Sequence, residues 1–550
     1  MNHLFSIKTR ILSLLIISCL AHISAEGQNV SWAIGAGNTG SDQGYDISND
    51  SNGNLYVTGW FSGSAQFGSQ TLVSAGLQDI FLASYDSSGQ LNWVQRAGSA
   101  ANDVSAGIAT NANGDTYITG WFKDTCDFGG GIVISHGSYD MFVAKYDVSG
   151  TLQWVQSGGG TLDDYGNRVA ISNNGGVTVA GSFKNIFDAS GMQMTSKGNR
   201  DALISHYDSN GQLLWMRGIG GSSEDRAYGI IQDVNDNYFI TGLFSDVVDF
   251  DGTMLTCNSF YATYLAKLSS QGNILWAVKG DAGANDFARG FGVLVDLQGN
   301  PVTNGFYSGT LNMGGATLAA SGGQYDQDSY LIKFTNNGSL LWARTAGGSG
   351  TDHGLDLHLT SNNEILAVGF FHDVANFQNT TITATGLSDV YVAKYDGSGN
   401  VLSVSGFGGA GNEYAYGVTS DDDGNVYLTG VFTGSSQMGS IPLVSNGGND
   451  ILIAKVSLTP LGINTIYGGN GLSMYPNPAR DWVRLDFSDV NRENKPFQLE
   501  IQDLTGRTVL ITNNVSSQVQ VNVSDLQSGL YTVRFSSEDS ATTAKLIVQH

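Results

Sequence analysis

The chain has little charge, little cysteine and few stretches of helical period, and each shortage narrows what it can be. Asp, Glu, Lys and Arg make up 13% of the 550 residues, so polar character rests on Ser, Thr, Asn and 74 glycines, the residues of turns and strand faces. Positive charge is the scarcer sign: 25 Lys and Arg stand against 49 Asp and Glu, a formal net charge of −24. That balance argues against nucleic acid or an anionic membrane as a partner. It admits cation binding, although a solubilising acidic surface explains it more simply. The three cysteines, Cys19, Cys126 and Cys257, form no CxxC spacing and no disulfide framework. GxSxG and P-loop motifs are missing, and no stretch beyond the leader could span a bilayer as a helix. The hydrophobic share of 41% suffices for a core, which argues against a disordered chain.

What is present is a period. Trp32, Trp93, Trp154, Trp215 and Trp276 stand 61 residues apart, Trp342 follows after 66, and Ser403 takes the Trp place 61 later. Each repeat holds four strand-like runs, A to D, such as 44–49, 54–61, 79–86 and 90–97, separated by Asn, Asp and Gly turns. Strand B is apolar on both faces, with Tyr56, Thr58 and Trp60 on one and Val57 and Phe61 on the other, so its sheet must be covered on both sides. The chain enters with a D-type strand at 30–34 and leaves with A, B and C at 416–420, 426–432 and 450–457, which makes seven of each. The expectation is all-β: a seven-bladed β-propeller over 28–458, closed when the N-terminal strand pairs onto the last sheet and removes its open edge. An open β-solenoid gives no reason for strands split between the two ends.

Residues 1–27 have the layout of a secretory signal peptide. Lys8 and Arg10 precede an apolar run at 11–20, and Ala25-Glu26-Gly27 offers a cleavage site. A lipoprotein box at Ile16-Ile17-Ser18-Cys19 is the rival; the apolar run continues past that cysteine and a better site follows. After the repeats a linker at 459–472 ends in Gly468-Gly469-Asn470-Gly471, and alternation then places a second β-domain at 473–550.

The runs Asp140–Trp154 and Gly424–Phe432, with similar copies throughout, resemble the bacterial β-propeller repeats called SBBP. That resemblance implies the fold and little about chemistry, since propellers host many functions. The runs Tyr475-Pro476-Asn477-Pro478-Ala479, Asp503-Leu504-Thr505-Gly506-Arg507, Ser528-Gly529-Leu530-Tyr531 and Lys545-Leu546-Ile547-Val548 resemble the C-terminal sorting domain of type IX secretion, a Bacteroidetes machinery. The residues that carry it are Pro476, Asn477, Pro478, Gly506, Arg507, Gly529, Tyr531 and Lys545. It implies an immunoglobulin-like sandwich, recognition by an outer-membrane translocon and removal by a sortase-like peptidase, which often leaves the cargo on lipopolysaccharide. Cleavage would fall around Gly468–Gly471. The protein would be secreted or sit on the outer cell surface, with no transmembrane segment in the mature chain.

An acid stands ten residues after each Trp place: Asp42, Asp103, Asp164, Asp225, Asp286, Asp352 and Glu413. Each could cap a turn by accepting backbone N–H groups, or the set could ring a channel mouth and bind a metal such as Ca²⁺ through oxygen. A feature repeated in every unit usually serves the unit, so the turn role is preferred. A second acid opens strand C at Asp79, Asp140, Asp201, Asp328, Asp389 and Asp450, with Ala262 in the remaining repeat, which argues against one cooperative site. Gly35–Gly40 matches GxGxxG but no helix follows, and Asp421–Gly424 lacks the calcium-loop register. His353, His358 and His372 do not form HExxH, and strand alternation sends the first two to opposite faces. The repeat after Trp276 has two extra residues near 295–301 and three near 324–327, which makes Tyr325, Asp326 and Asp328 candidates for a ligand loop. The function expected is a surface or secreted binding module for a glycan, protein or surface polymer. The alternatives are a polysaccharide hydrolase or lyase using channel carboxylates and a structural surface component. No catalytic residue and no organic cofactor is assigned.

Overall fold

The computed structural model describes residues 28–323, 326–458 and 473–548, the last stretch without 476–478, 487–496, 504–506, 516–517 and 537–540. The leader, Tyr325, the linker and Pro476, Asn477, Pro478 and Gly506 lie outside the described residues. Every helix or strand element among the described residues is a β-strand.

In the first sheet, strands A to D are Gln43–Asn49, Leu55–Phe67, Gln70–Tyr85 and Leu91–Ala97, antiparallel and in chain order. The same order recurs in sheets whose A strands are Val104–Thr110, Tyr165–Ile171, Arg226–Gln232, Ala288–Val295 and His353–Leu359. A further sheet takes Glu413–Ser420, Val426–Met438 and Ile441–Leu458 as A to C, and its fourth strand is Gln28–Ala36. Gln28 lies opposite Leu458 and Ala36 opposite Ile451, the pairing expected for the segment around Trp32. Each strand A packs against strand A of the following sheet, and that of the last sheet packs against Gln43–Asn49.

Sheets are buried on both faces, as strand B required: Leu55 to Phe61 is buried at every residue. The interface between the last and first sheets joins Tyr427, Ile451 and Ile453 to Ile47, Val57 and Phe81. Each such aliphatic side chain contributes about 1.5–3 kcal/mol by leaving water.

The tryptophan period has a specific cause. Trp32, Trp93, Trp154, Trp276 and Trp342 each donate Nε1–H to a carbonyl in the C–D turn of the next sheet, at 3.0–3.1 Å. The ring covers that turn's glycine; at Gly89, with φ of 85°, a Cβ would come within 2.9 Å of Trp32. Ser403 breaks the period because strand D of the last sheet comes from the other end of the repeats, so no C–D turn waits there to be covered.

The connection between B and C, read from sequence only as polar, forms its own hairpin, for example Ile186–Ala189 with Met192–Thr195. These hairpins strap onto strand D of the preceding sheet, through Gly159 and Asp188 or Gly280 and Met313.

In the C-terminal region, Ser473–Tyr475, Trp482–Asp486 and Gln518–Asn522 form one sheet. Thr508–Val515, Phe497–Gln502, Gly529–Ser536 and Ala541–Val548, in that spatial order, form another. The two share a core that includes Val483, Leu485, Leu499, Ile501, Val533 and Leu546.

Candidate functional site

Strand A enters each sheet from the crossover after strand D, and here the repeated acids act. Asp164 Oδ2 accepts Gly160 N–H at 2.8 Å and Oδ1 accepts Lys184 N–H at 2.9 Å, tying the crossover to the end of strand B. Asp42, Asp103, Asp225 and Asp352 make the same pair of bonds, and Glu413 accepts Gly409 N–H at 3.0 Å. All six are at most 2% exposed. Burial pushes Asp42 and Asp103 up to about 6, and Asp164, Asp225, Asp352 and Glu413 to about 7.

Asp286 is not the seventh member. Ala288 N–H makes the backbone bond to Tyr261 O that the acids make elsewhere, so Ala288 holds their place, while Asp286 Oδ1 accepts Ser308 Oγ–H at 3.3 Å. The two extra residues of this repeat therefore lie in the crossover before Ala288 and not at 295–301, where turn and strands keep the common register. Among the described residues no three His, Cys, Asp or Glu side chains converge as a metal site.

The second acids hold the B–C hairpin, as Asp201 does through Lys197 N–H at 3.0 Å. Asp328 belongs to this set: it is fully buried and accepts Ser321 N–H and Oγ–H at 2.9 and 2.8 Å, so it is not a loop contact for a ligand. Asp326 folds back onto Gly323 N–H. The gap at Ala262 is filled from the neighbouring strand. Asp281 stands where the other repeats have glycine, and its carboxylate accepts Asn258 N–H, the equivalent donor, at 3.1 Å. At Gly98 and Gly220 a Cβ would sit 2.2–2.3 Å from Asp79 and Asp201, so only one of the two places can carry the acid.

The histidines do not assemble. His353 stacks on Phe306 with centroids 3.4 Å apart and hydrogen-bonds Gln327, His372 Nδ1 meets Thr351 O, and His358 lines a cavity on the other side of the A strands' centre.

The A strands bring together what no motif marked. The same repeat position in every sheet, held by Tyr45, Ala106, Asn167, Tyr228, Phe291, Leu355 and Tyr416, lines one cavity of about 390 Å³, with Trp121, Tyr165 and Arg226 at its side. In the first sheet this position is the bulge between Gly44 and Asp46, and the extra residue re-aims its side chain. A chain of ring contacts runs round the cavity from Tyr228 to Phe291, Phe306, His353, Phe370, Tyr414, Tyr416 and Tyr45, with centroids 3.4–6.2 Å apart.

Arg168 forms the floor. Its guanidinium bridges Asp46 and Asp356, the latter at 2.9 Å, from three different sheets. Asp46 also accepts Ile108 N–H at 2.9 Å and Asp356 accepts Val418 N–H at 3.0 Å. Burial pushes the Asp356 carboxyl above the usual carboxylate range, and the Arg168 charge pulls it back. Beyond this floor lies a second cavity of about 400 Å³ lined by Ile47, Ile108, Val169, Ile230, Val293, Leu357 and Val418. Sequence reasoning looked for chemistry in acids and missed these rings; the available signal was the variability of the aromatic position against the constancy of its neighbours.

In the C-terminal region, Tyr531 is buried and its hydroxyl donates to Gln527 O at 2.7 Å, Gly529 opens its strand, Arg507 is exposed with Nε 3.1 Å from Asp503, and Lys545 pairs in register with Thr532.

Residues 473–549 match the family of secretion system C-terminal sorting domains, which implies export of the chain to the cell surface or beyond. No helix among the described residues is long and apolar enough to cross a membrane. An uncharacterised WD repeat-containing protein, L264, of Acanthamoeba polyphaga mimivirus is 22% identical over 73% of this chain and 36% of its own. The regulatory protein FlaEY of Caulobacter vibrioides is 27% identical over 50% of this chain and 31% of its own. The chain thus spans about a third of the length of these relatives. Among solved structures, PorZ, a surface component of the type IX secretion system of Porphyromonas gingivalis, is 12% identical, with a TM-score of 0.25 over 94% of this chain and 75% of PorZ. The Pan2 WD40 domain of Neurospora crassa is 9% identical, with a TM-score of 0.29 over 60% of this chain and 86% of that domain. Likeness at these scores carries no argument about this chain.

Proposed function

We propose that the chain is a secreted or surface-displayed binding module: a closed seven-bladed β-propeller of SBBP-type repeats over 28–458, exported by a Sec signal and then by type IX secretion. The pairing of Gln28–Ala36 with Ile441–Leu458 and the packing of Glu413–Ser420 on Gln43–Asn49 support the closed ring. The sorting-domain match supports the route. The ligand, a glycan or another polymer, is held at the aromatic cavity. The observation that carries this is the convergence of one repeat position from seven sheets on a single cavity whose walls are mostly rings. Flat aromatic faces offer apolar area at low entropic cost and suit the C–H faces of sugar rings. Asp46 and Asp356, the carboxylates at the floor, are committed to Arg168, which favours binding over the hydrolase reading.

A glycan array and a turnover assay on the secreted protein test the proposal. Trp121→Ala with Tyr228→Ala should weaken binding at least about tenfold, the scale of losing buried aromatic contacts, while the melting temperature holds. Retained affinity, or turnover of a bound glycan, rejects it. For export, deletion of 473–550 should leave the protein in the periplasm; unchanged secretion rejects the route.

A further inference from the structure

Beside the aromatic cavity, behind Phe306 and Phe291, stands an arginine that no acid among the described residues pairs with, Arg289. Arg168 is held by Asp46 and Asp356, Arg226 by Glu224, and Arg200 stands 3.8 and 3.9 Å from Asp163 and Glu224. Arg289 makes no ion pair among the described residues, and its buried Nε has no hydrogen-bond partner. Rings hold it instead. Its guanidinium carbon lies 5.2 Å from the centroid of Tyr261, 5.7 Å from Phe287 and 6.0 Å from Phe306. Phe306 in turn lies 5.5 Å from Phe291, a wall of the cavity. The nearest acid along the chain, Asp286, is turned to Ser308, and His353 beside Phe306 is held neutral, driven down to about 3 by burial and by the Arg289 charge. The two extra residues of this repeat in the crossover before Ala288 lie at the end of the sheet where strand A begins.

Resting on the binding reading above, we propose that the ligand is an acidic polysaccharide and that Arg289 receives the carboxylate of a uronic acid unit while neighbouring sugar rings lie against Tyr228, Phe291 and Trp121. A planar guanidinium with free N–H groups matches a carboxylate in two parallel hydrogen bonds. Aromatic surroundings exclude water and strengthen the pair. The formal charge of −24 does not forbid a polyanion here. The crossover acids and the second acids counted in it are buried, and burial raises them towards the neutral form.

Calorimetric titration of the full secreted chain with polygalacturonate, alginate, methyl-esterified polygalacturonate and polyglutamate tests this. At least one polyuronate should bind about tenfold or more tighter than the ester, the size of one charge-assisted hydrogen bond. Arg289→Met should abolish that preference, Arg289→Lys should keep part of it, and Tyr228→Ala should weaken both polymers. Melting curves show whether each variant is folded. An ester bound as tightly as the acid, or a preference that survives Arg289→Met, overturns the uronate assignment and leaves the cavity reading standing. Polyglutamate preferred over both polyuronates overturns the sugar class. Binding that Tyr228→Ala leaves untouched overturns the proposal together with the cavity reading beneath it; no binding of any of these polymers overturns the uronate assignment alone.

Discussion

The two cavities on either side of Arg168 have the same walls in backbone terms and opposite characters in side chains. Below the floor, one repeat position reads Ile47, Ile108, Val169, Ile230, Val293, Leu357 and Val418, each no more than 8% exposed. Above it, two residues earlier on the same strands, the position reads Tyr45, Ala106, Asn167, Tyr228, Phe291, Leu355 and Tyr416. The lower position is uniform because every strand A must seal against its neighbours with a branched aliphatic side chain of one size. The upper position, freed from that duty, has diverged within a single chain. Uniformity among repeats therefore marks residues that serve the fold, and divergence at an enclosed position marks residues that serve something else. The acids agree: those that recur in nearly every repeat are clamps on backbone N–H groups.

Breaking the floor between the cavities should have the largest effect. Arg168→Met leaves Asp46 and Asp356 buried and unpaired, and should lower stability by about 3–5 kcal/mol in urea unfolding. Adding Asp46→Asn and Asp356→Asn should recover much of that. The positions themselves separate next. Ile47→Ala should cost about 2–5 kcal/mol through the cavity it leaves, whereas Tyr45→Ala, half-buried at the open side, should cost roughly 1 kcal/mol. Equal losses would dissolve the distinction between them. The sheet that departs from the repeat sharpens the rule for uniform positions. Asp281→Gly should cost about 1–3 kcal/mol by leaving Asn258 N–H without its carboxylate, and Ala262→Asp in the same chain should restore it. A double variant no better than the single one would show that the exchange is not reciprocal.

The smallest expected effect per group is with pH, and the two ends of the sheets should respond in opposite directions. At the crossover end six carboxyls are raised to about 6 or 7, above an unfolded value near 4. They contribute stability that is complete below about pH 4 and is lost as pH rises through 6 to 7. At the turn end Ser88 holds Asp86 below its ordinary value, and Asn425 and Tyr427 outweigh burial to do the same for Asp421. Those groups lose their contribution as pH falls below about 4. Urea midpoints at constant ionic strength should therefore peak on the acid side of neutrality; a midpoint that rises steadily from about pH 4 to pH 8 would refute the raised crossover set.

The sequence alone determined the local grammar: strands, turns and the period at which they recur. These are legible because turn residues and side-chain alternation act within a few residues, and because a Trp that covers the next turn's glycine must recur at the spacing of the repeat. It also determined the sorting tag, whose motifs are read linearly. Counting from Trp276 misplaced the seventh acid, because an offset along the chain cannot tell an insertion before Ala288 from one after it; only the backbone bond to Tyr261 does. The exchange between Ala262 and Asp281 was hidden for the same reason, since the two lie on paired strands and not at neighbouring positions. The cavities, the Arg168 floor and the setting of Arg289 among Tyr261, Phe287 and Phe306 were decided by tertiary structure alone. Their residues come from separate repeats, and only packing of the A strands against one another brings side chains so far apart in the chain to the walls of one cavity.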